Sequence, residues 1–172
     1  LGAEHADVRV ERIVAQSVEL RDAGVRGVVD SSTEGLAVRV LVDGTWGFAS
    51  HVELTAERAA ATAERAVGVA RALAPLARER VDRAAEPVYD GVEWCSEYVV
   101  DPLAVPTGDK VALLADRSRR LLAAPGVDHV EAGLAVVREN KFYADVAGTS
   151  TLQQRVRTAP SLTATTVDRD GG

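Results

Sequence analysis

Three histidines, one cysteine and a scatter of carboxylates are the residues of this chain that could carry chemistry. A metal site needs such groups at ligand spacing, for instance two histidines one helical turn apart. His5, His51 and His129 stand far from one another, and none lies in a predicted helix beside a glutamate. Each is expected to be an ordinary hydrogen-bonded or surface side chain, with His51 a local cap at the entry to a helix. Cys95 could act as a nucleophile only with a base beside it in space. Its alternation with Trp94 and Ser96 in EWCSEY predicts a half-buried strand thiol instead.

Other chemistries find no better footing. Gly108-Asp109-Lys110 resembles a phosphate-binding loop only in fragments, because the preceding glycine loop is missing. No serine sits in a G-x-S-x-G elbow. The acidic pairs Glu93 with Glu97 and Asp168 with Asp170 have spacings common on exposed faces. Trp46 and Phe48 stand out in a chain with two tryptophans and two phenylalanines. They lie two apart in TWGFAS and so share one strand face, where packing against a neighbouring alanine-rich helix is the expected role. No catalytic, cofactor-binding or metal-binding residue is assigned within the chain.

Composition narrows the partners. The 172 residues are 47% apolar and 27% charged, values of a folded domain. A net charge of −6 argues against a nucleic-acid footprint, and the cluster Arg117, Arg119, Arg120 falls on a predicted helix as a solvated face. With Cys95 alone no internal disulfide can form, which fits a reducing cytoplasm. No run approaches the roughly 20 apolar residues that span a bilayer, so no membrane partner is expected. The chain has no methionine, starts at Leu1 and stops at Asp170-Gly171-Gly172 like a turn before a further strand, as a fragment of a longer chain would.

Periodicity then supplies the elements. Residues 5–50 form a first strand meander. Val8 to Leu20 alternate in period two, as one long or two broken strands, and Asp22-Ala23-Gly24 makes a turn. Val25 to Ser31 return as a strand. Leu36, Val38, Val40 and Val42 share a face, and Asp43-Gly44 closes a hairpin onto TWGFAS. Residues 54–74 are a small-residue helix capped by Thr55, with Glu57 in its first turn. Residues 75–106 are irregular. Residues 107–124 are a second helix, capped near Thr107 or Asp109, with Val111, Leu114, Ser118, Leu121 and Leu122 on one stripe and Pro125-Gly126 as its stop. Residues 127–170 form a second meander with a break at Glu139-Asn140. The expected fold class is α+β: two antiparallel strand meanders with two main helices packed on one face of a curved sheet.

The order of these pieces resembles a known family. GLAVRVLVDGTWGFASHVELTAERAAATAERAVGVARALA, preceded by ADVRVERIVAQSVELRDAGVRGV and followed by YVVDPLAVPTGDKVALLADRSRRLL and VEAGLAVVRENKFYADVAGTSTLQQRVRT, is similar to the N-terminal domain of the TldD/PmbA family. These are metallopeptidases formerly called modulators of DNA gyrase. The resemblance covers nearly all of residues 1–172, and the WGFAS form with the Asp101-Pro102 segment looks closer to the TldD subunit than to its PmbA partner.

The resemblance implies a zinc-dependent peptidase of unfolded peptides, assembled from a catalytic TldD-like and an inactive PmbA-like subunit. It also implies a His-Glu-x-x-x-His metal helix beyond the N-terminal domain. That motif is absent from these residues, so zinc is expected only in the full-length parent. The expected roles left to this domain are walling the substrate cleft by main-chain pairing with extended peptides, or joining a partner subunit or second copy. Asp43-Gly44 and Gly47, which admits a close neighbour or a bulge, complete the hairpin that carries much of the resemblance.

Overall fold

A computed structural model describes residues 2–167. The expected turn at Asp170-Gly171-Gly172 and the pair Asp168 and Asp170 lie outside the described residues. The strands are β1 (His5–Arg21), β2 (Gly24–Val42), β3 (Thr45–His51), β4 (Val92–Cys95), β5 (His129–Asp145) and β6 (Ser150–Thr165), and the helices are α1 (Ala56–Leu73) and α2 (Thr107–Leu122). A short 3₁₀ turn, Ala74–Leu76, follows α1. The strands form a six-stranded sheet in the order β3-β2-β1-β5-β6-β4. The fold is α+β and mostly antiparallel, with β4 running parallel to β6 from Val92 opposite Thr151 to Cys95 opposite Gln154.

The strands are longer than the turn signals suggested. Val25–Ser31 and Leu36–Val42 belong to one strand, and the break expected at Glu139-Asn140 does not occur. Asn140 instead accepts a 3.0 Å hydrogen bond from the Gln154 side chain, and Glu139 pairs with Lys141 at 2.9 Å, so polar side chains ride on an unbroken ladder. The reversal comes later, where Asp145 accepts from the N–H groups of Ala147 at 2.9 Å and Thr149 at 3.0 Å. Both predicted turns form, the first over two residues because Gly24 already belongs to β2: Asp22 and Ala23 have φ of 50° and 62°, and Asp43 and Gly44 have 49° and 69°. Paired left-handed residues match the twist of the flanking strands.

The chain divides into two compact units, and β1, β2, β5 and β6 each give one part to each. The first unit holds α1, which Thr55 caps by accepting the Arg58 N–H at 3.2 Å. Small residues let this helix approach β2 and β3. Leu36, Val38, Val40 and Val42 form a core with Ala49, Ala66, Val67 and Ala70.

The second unit holds α2. Val18, Leu20 and Ala132 pack on Leu114 and Ala115, with Val111 and Leu134 at the margin. The cap expected at Thr107 or Asp109 is instead Pro106, without a side-chain bond. The buried face includes Lys110, whose ammonium reaches Gln16 Oε1. The Gln16 amide donates onward to Asp30 at 2.7 Å and to Thr107 at 3.2 Å. The hydroxyl of buried Ser118 accepts the Ala23 N–H at 2.9 Å, tying α2 to the β1–β2 turn.

Candidate functional site

Strand alternation puts two faces on the sheet of the first unit, and α1 takes one. Gly47 and Ala49 turn toward that helix. Trp46 and Phe48 must then turn away from it, so the packing expected for them against the helix is corrected. Phe48 is 59% exposed. Trp46 lies beneath the Arg39 guanidinium, 4.4 Å from its ring centroid, and meets the His5 ring edge-on at 5.9 Å.

The same face gathers charge around Asp7. Its side chain is 1% exposed and accepts from Arg39 Nε and Nη2, both at 2.8 Å. Arg9 Nε lies 3.6 Å away, and His5 Nε2 lies 3.3 Å away. Arg83 contacts His5 Nδ1. A guanidinium can only donate, so Nδ1 accepts and the ring proton sits on Nε2, directed at Asp7. A buried carboxylate needs such partners, because its desolvation is costly unless charge and hydrogen bonds offset it.

Arg83 belongs to the irregular segment between the 3₁₀ turn and β4, which acts as a strap over this face. The Val81 N–H donates to Gly44 O at 2.8 Å, and the Ser150 N–H donates to Tyr89 O at 2.7 Å. Arg83 also pairs with Glu86 at 3.2 Å. His5 and Asp7 are buried by coverage with chain of no regular structure.

Beneath the later part of the strap lies a pocket of about 380 Å³ between Glu86, Pro87 and Tyr89 on one side and Arg9, Lys141 and Tyr143 on the other. The Arg9 guanidinium sits 5.6 Å from the Tyr143 ring centroid. The Tyr143 hydroxyl donates to Asp145 at 3.2 Å. Burial, with the charges of Asp7 and Asp145, pushes the Tyr143 pKa up, so it remains a donor. Burial alone would raise Asp145, but the Thr149 N–H, the Tyr143 hydroxyl and the Ala147 N–H outweigh it and hold that carboxyl below its ordinary value. Lys141 bonds Glu139 and Glu11, each at 2.9 Å, and those bonds raise its pKa.

The residues singled out from sequence scatter. His51 Nδ1 accepts the Glu53 N–H at 3.0 Å, a local turn before α1. His129 belongs to the second unit, where it and the Val130 N–H bind Asp22 at 2.9 and 2.8 Å. Cys95 is in a strand but exposed, which corrects the half-buried thiol: β4 is an edge with all residues exposed. Glu93 and Glu97 are exposed, as are Arg117, Arg119 and Arg120. Lys110, from the phosphate-loop fragment, is buried. Asp101 accepts the Leu103 N–H at 3.0 Å and pairs with Arg138. Among the described residues no three His, Cys, Asp or Glu side chains could hold a metal together, so the donors present do not fit a zinc site. No described helix is long and apolar enough to cross a membrane.

The network around Asp7 is what sequence reasoning missed. Its trace was present in HADVR, where His5, Asp7 and Arg9 occupy the alternate positions of a strand whose other face is apolar. That pattern marks a polar face, and only the strap converts it into a buried one.

Residues 6–70 match the family description "PmbA/TldA metallopeptidase domain 1". The first part of the chain is thus similar to the first domain of that family. None of the curated proteins matches the sequence. A candidate modulator of DNA gyrase from Bacteroides thetaiotaomicron shares the fold at TM-score 0.72 and 18% identity, over 98% of this chain and 38% of that one. A second, from Thermotoga maritima, matches at TM-score 0.68 and 12% identity, over 98% of this chain and 41% of that one. TldE from Thermococcus kodakarensis matches at 0.58 and 13%, over 94% and 40%. The chain thus spans about two fifths of the length of these solved proteins.

Proposed function

We propose that this chain is the N-terminal domain of a TldD-like, cytoplasmic metallopeptidase and holds extended, unfolded peptides in its substrate cleft. Zinc and its His-Glu-x-x-x-His segment would lie outside these residues. The observation that carries the reading is the β4 edge. Val92–Cys95 pairs with β6 on one side, is the last strand of its sheet on the other, and is exposed throughout. An open edge offers main-chain N–H and C=O groups that pair with any extended peptide whatever its sequence. A cleft of about 330 Å³ beside it, lined by Val10, Trp94, Phe142 and Leu152, gives room for an apolar side chain. The test is photo-crosslinking of an unfolded peptide to the full-length protein. Labels within Val92–Cys95 are expected, whereas labels confined to residues beyond this domain would overturn the reading.

A second reading, assembly with a TldD/PmbA-type partner subunit or a second copy, draws on a separate feature. Val25, Val28 and Val29 are exposed on the part of β2 in the second unit. Exposed apolar residues on a strand suit a protein interface. Protection of those valines from hydrogen exchange when the partner subunit is added, with no peptide label on β4, would favour assembly instead.

A further inference from the structure

The pocket beneath the strap has more to say about what is held. Its two carboxylates have partners: Asp145 receives the Thr149 and Ala147 N–H groups and the Tyr143 hydroxyl, and one oxygen of Glu86 is paired with Arg83. Its donors are in surplus. Arg9 is 49% exposed, and Asp7, its one charge partner among the described residues, lies 3.6 Å from Nε. Among the described residues its terminal nitrogens have no partner, and the guanidinium carbon lies within cation–π range of Tyr143, 5.6 Å from the ring centroid. Lys141 spends two bonds on Glu11 and Glu139, leaving a third N–H, and Thr151 and Gln153 add polar groups to the wall.

A pocket whose carboxylates already have partners and whose arginine and lysine keep unused N–H groups suits a ligand that only accepts. Arg presents a planar fork that matches a carboxylate with two parallel bonds. A guanidinium drawn toward an aromatic ring also loses less freedom on binding than an unattached one. We propose that this pocket binds a carboxylate, gripped by Arg9 with support from Lys141, and that a peptide substrate supplies it from its C-terminus or from an acidic side chain. The proposal rests on the peptide-holding reading above.

The test uses the full-length protein and one unfolded peptide in three forms: free C-terminal acid without acidic side chains, the corresponding amide, and the amide with one internal glutamate. Binding is followed by fluorescence anisotropy. Wild type should bind at least one carboxylate form about tenfold more tightly than the plain amide, the scale of a charge-assisted bond. A tighter free acid identifies the terminus as the source, and a tighter glutamate form identifies the side chain. Arg9→Gln should abolish the difference while still binding the amide, and Arg9→Lys should restore part of it. Lys141→Gln, an independent variant should Arg9→Gln fold poorly, should shrink it. Equal binding of all three forms by wild type, or an undiminished difference in Arg9→Gln and Lys141→Gln, overturns the carboxylate site and leaves peptide holding intact. Failure of every form to bind removes both.

Discussion

Gly47 of β3 lies directly against Ala66 of α1: a Cβ built on Gly47 would stand 2.0 Å from the Ala66 carbonyl oxygen and 2.7 Å from the Ala70 nitrogen. Both obstacles are helix backbone, which cannot step aside as a flexible side chain can. Gly47→Ala should therefore push α1 off the sheet and lower stability by about 3 kcal/mol, the upper range for overpacking. Urea denaturation checks this, and a midpoint unchanged from wild type would show that the helix has room to shift.

Asp7 ties Arg39, Arg9 and His5 to one carboxylate. Asp7→Ala leaves the buried His5 N–H unpaired and frees the arginines. Arg39 and Arg9 can turn to solvent, which moderates the loss, so a destabilisation of about 2 kcal/mol is expected. The accompanying Arg39→Ala substitution should then cost little more, as a double-mutant cycle would reveal.

Arg83 pins the strap to His5. Arg83→Ala removes that tether but leaves the Val81–Gly44 and Ser150–Tyr89 main-chain bonds in place. The strap should open locally without global unfolding, so trypsin should cut at Arg78 and Arg80 several times faster while the urea midpoint barely moves. Equal cleavage rates would mean that the main-chain bonds alone hold the strap.

Asp101 has its pKa lowered below the ordinary 3.8, first by the Arg138 side chain and then by the Leu103 N–H. A depressed carboxylate contributes stability that is fully present above its unfolded value and fades as pH falls through the folded one. Unfolding midpoints of the wild type should therefore decline below about pH 4. In Asp101→Asn that decline should be shallower, with lower stability at neutral pH. Asp22, lowered by the Val130 N–H and then His129, should behave likewise.

What local chemistry controls was legible in the sequence. The turns at Asp22-Ala23 and Asp43-Gly44, the Thr55 cap, both helices and the period-two strands follow from residues close to one another in the chain. The same locality explains the errors. Glu139-Asn140 has the composition of a turn, yet its side chains find partners on neighbouring positions of the ladder, and the strand continues. Trp46 and Phe48 were legible as sharing a face, but which face meets α1 depends on Gly47 meeting Ala66 and Ala70, which lie further along the chain on the helix.

The candidate site lies at the far end of this scale. His5, Asp7, Arg39, Arg83 and Tyr143 come from β1, β2, β5 and a strap without periodicity, so no window of sequence contains them together. Hydrophobic alternation placed His5, Asp7 and Arg9 on the strand face opposite Ala6, Val8 and Val10. Only the tertiary path of the strap, held by main-chain bonds at Gly44 and Ser150 that leave no mark on residue type, decided that part of this face would be buried, paired and roofed over a pocket.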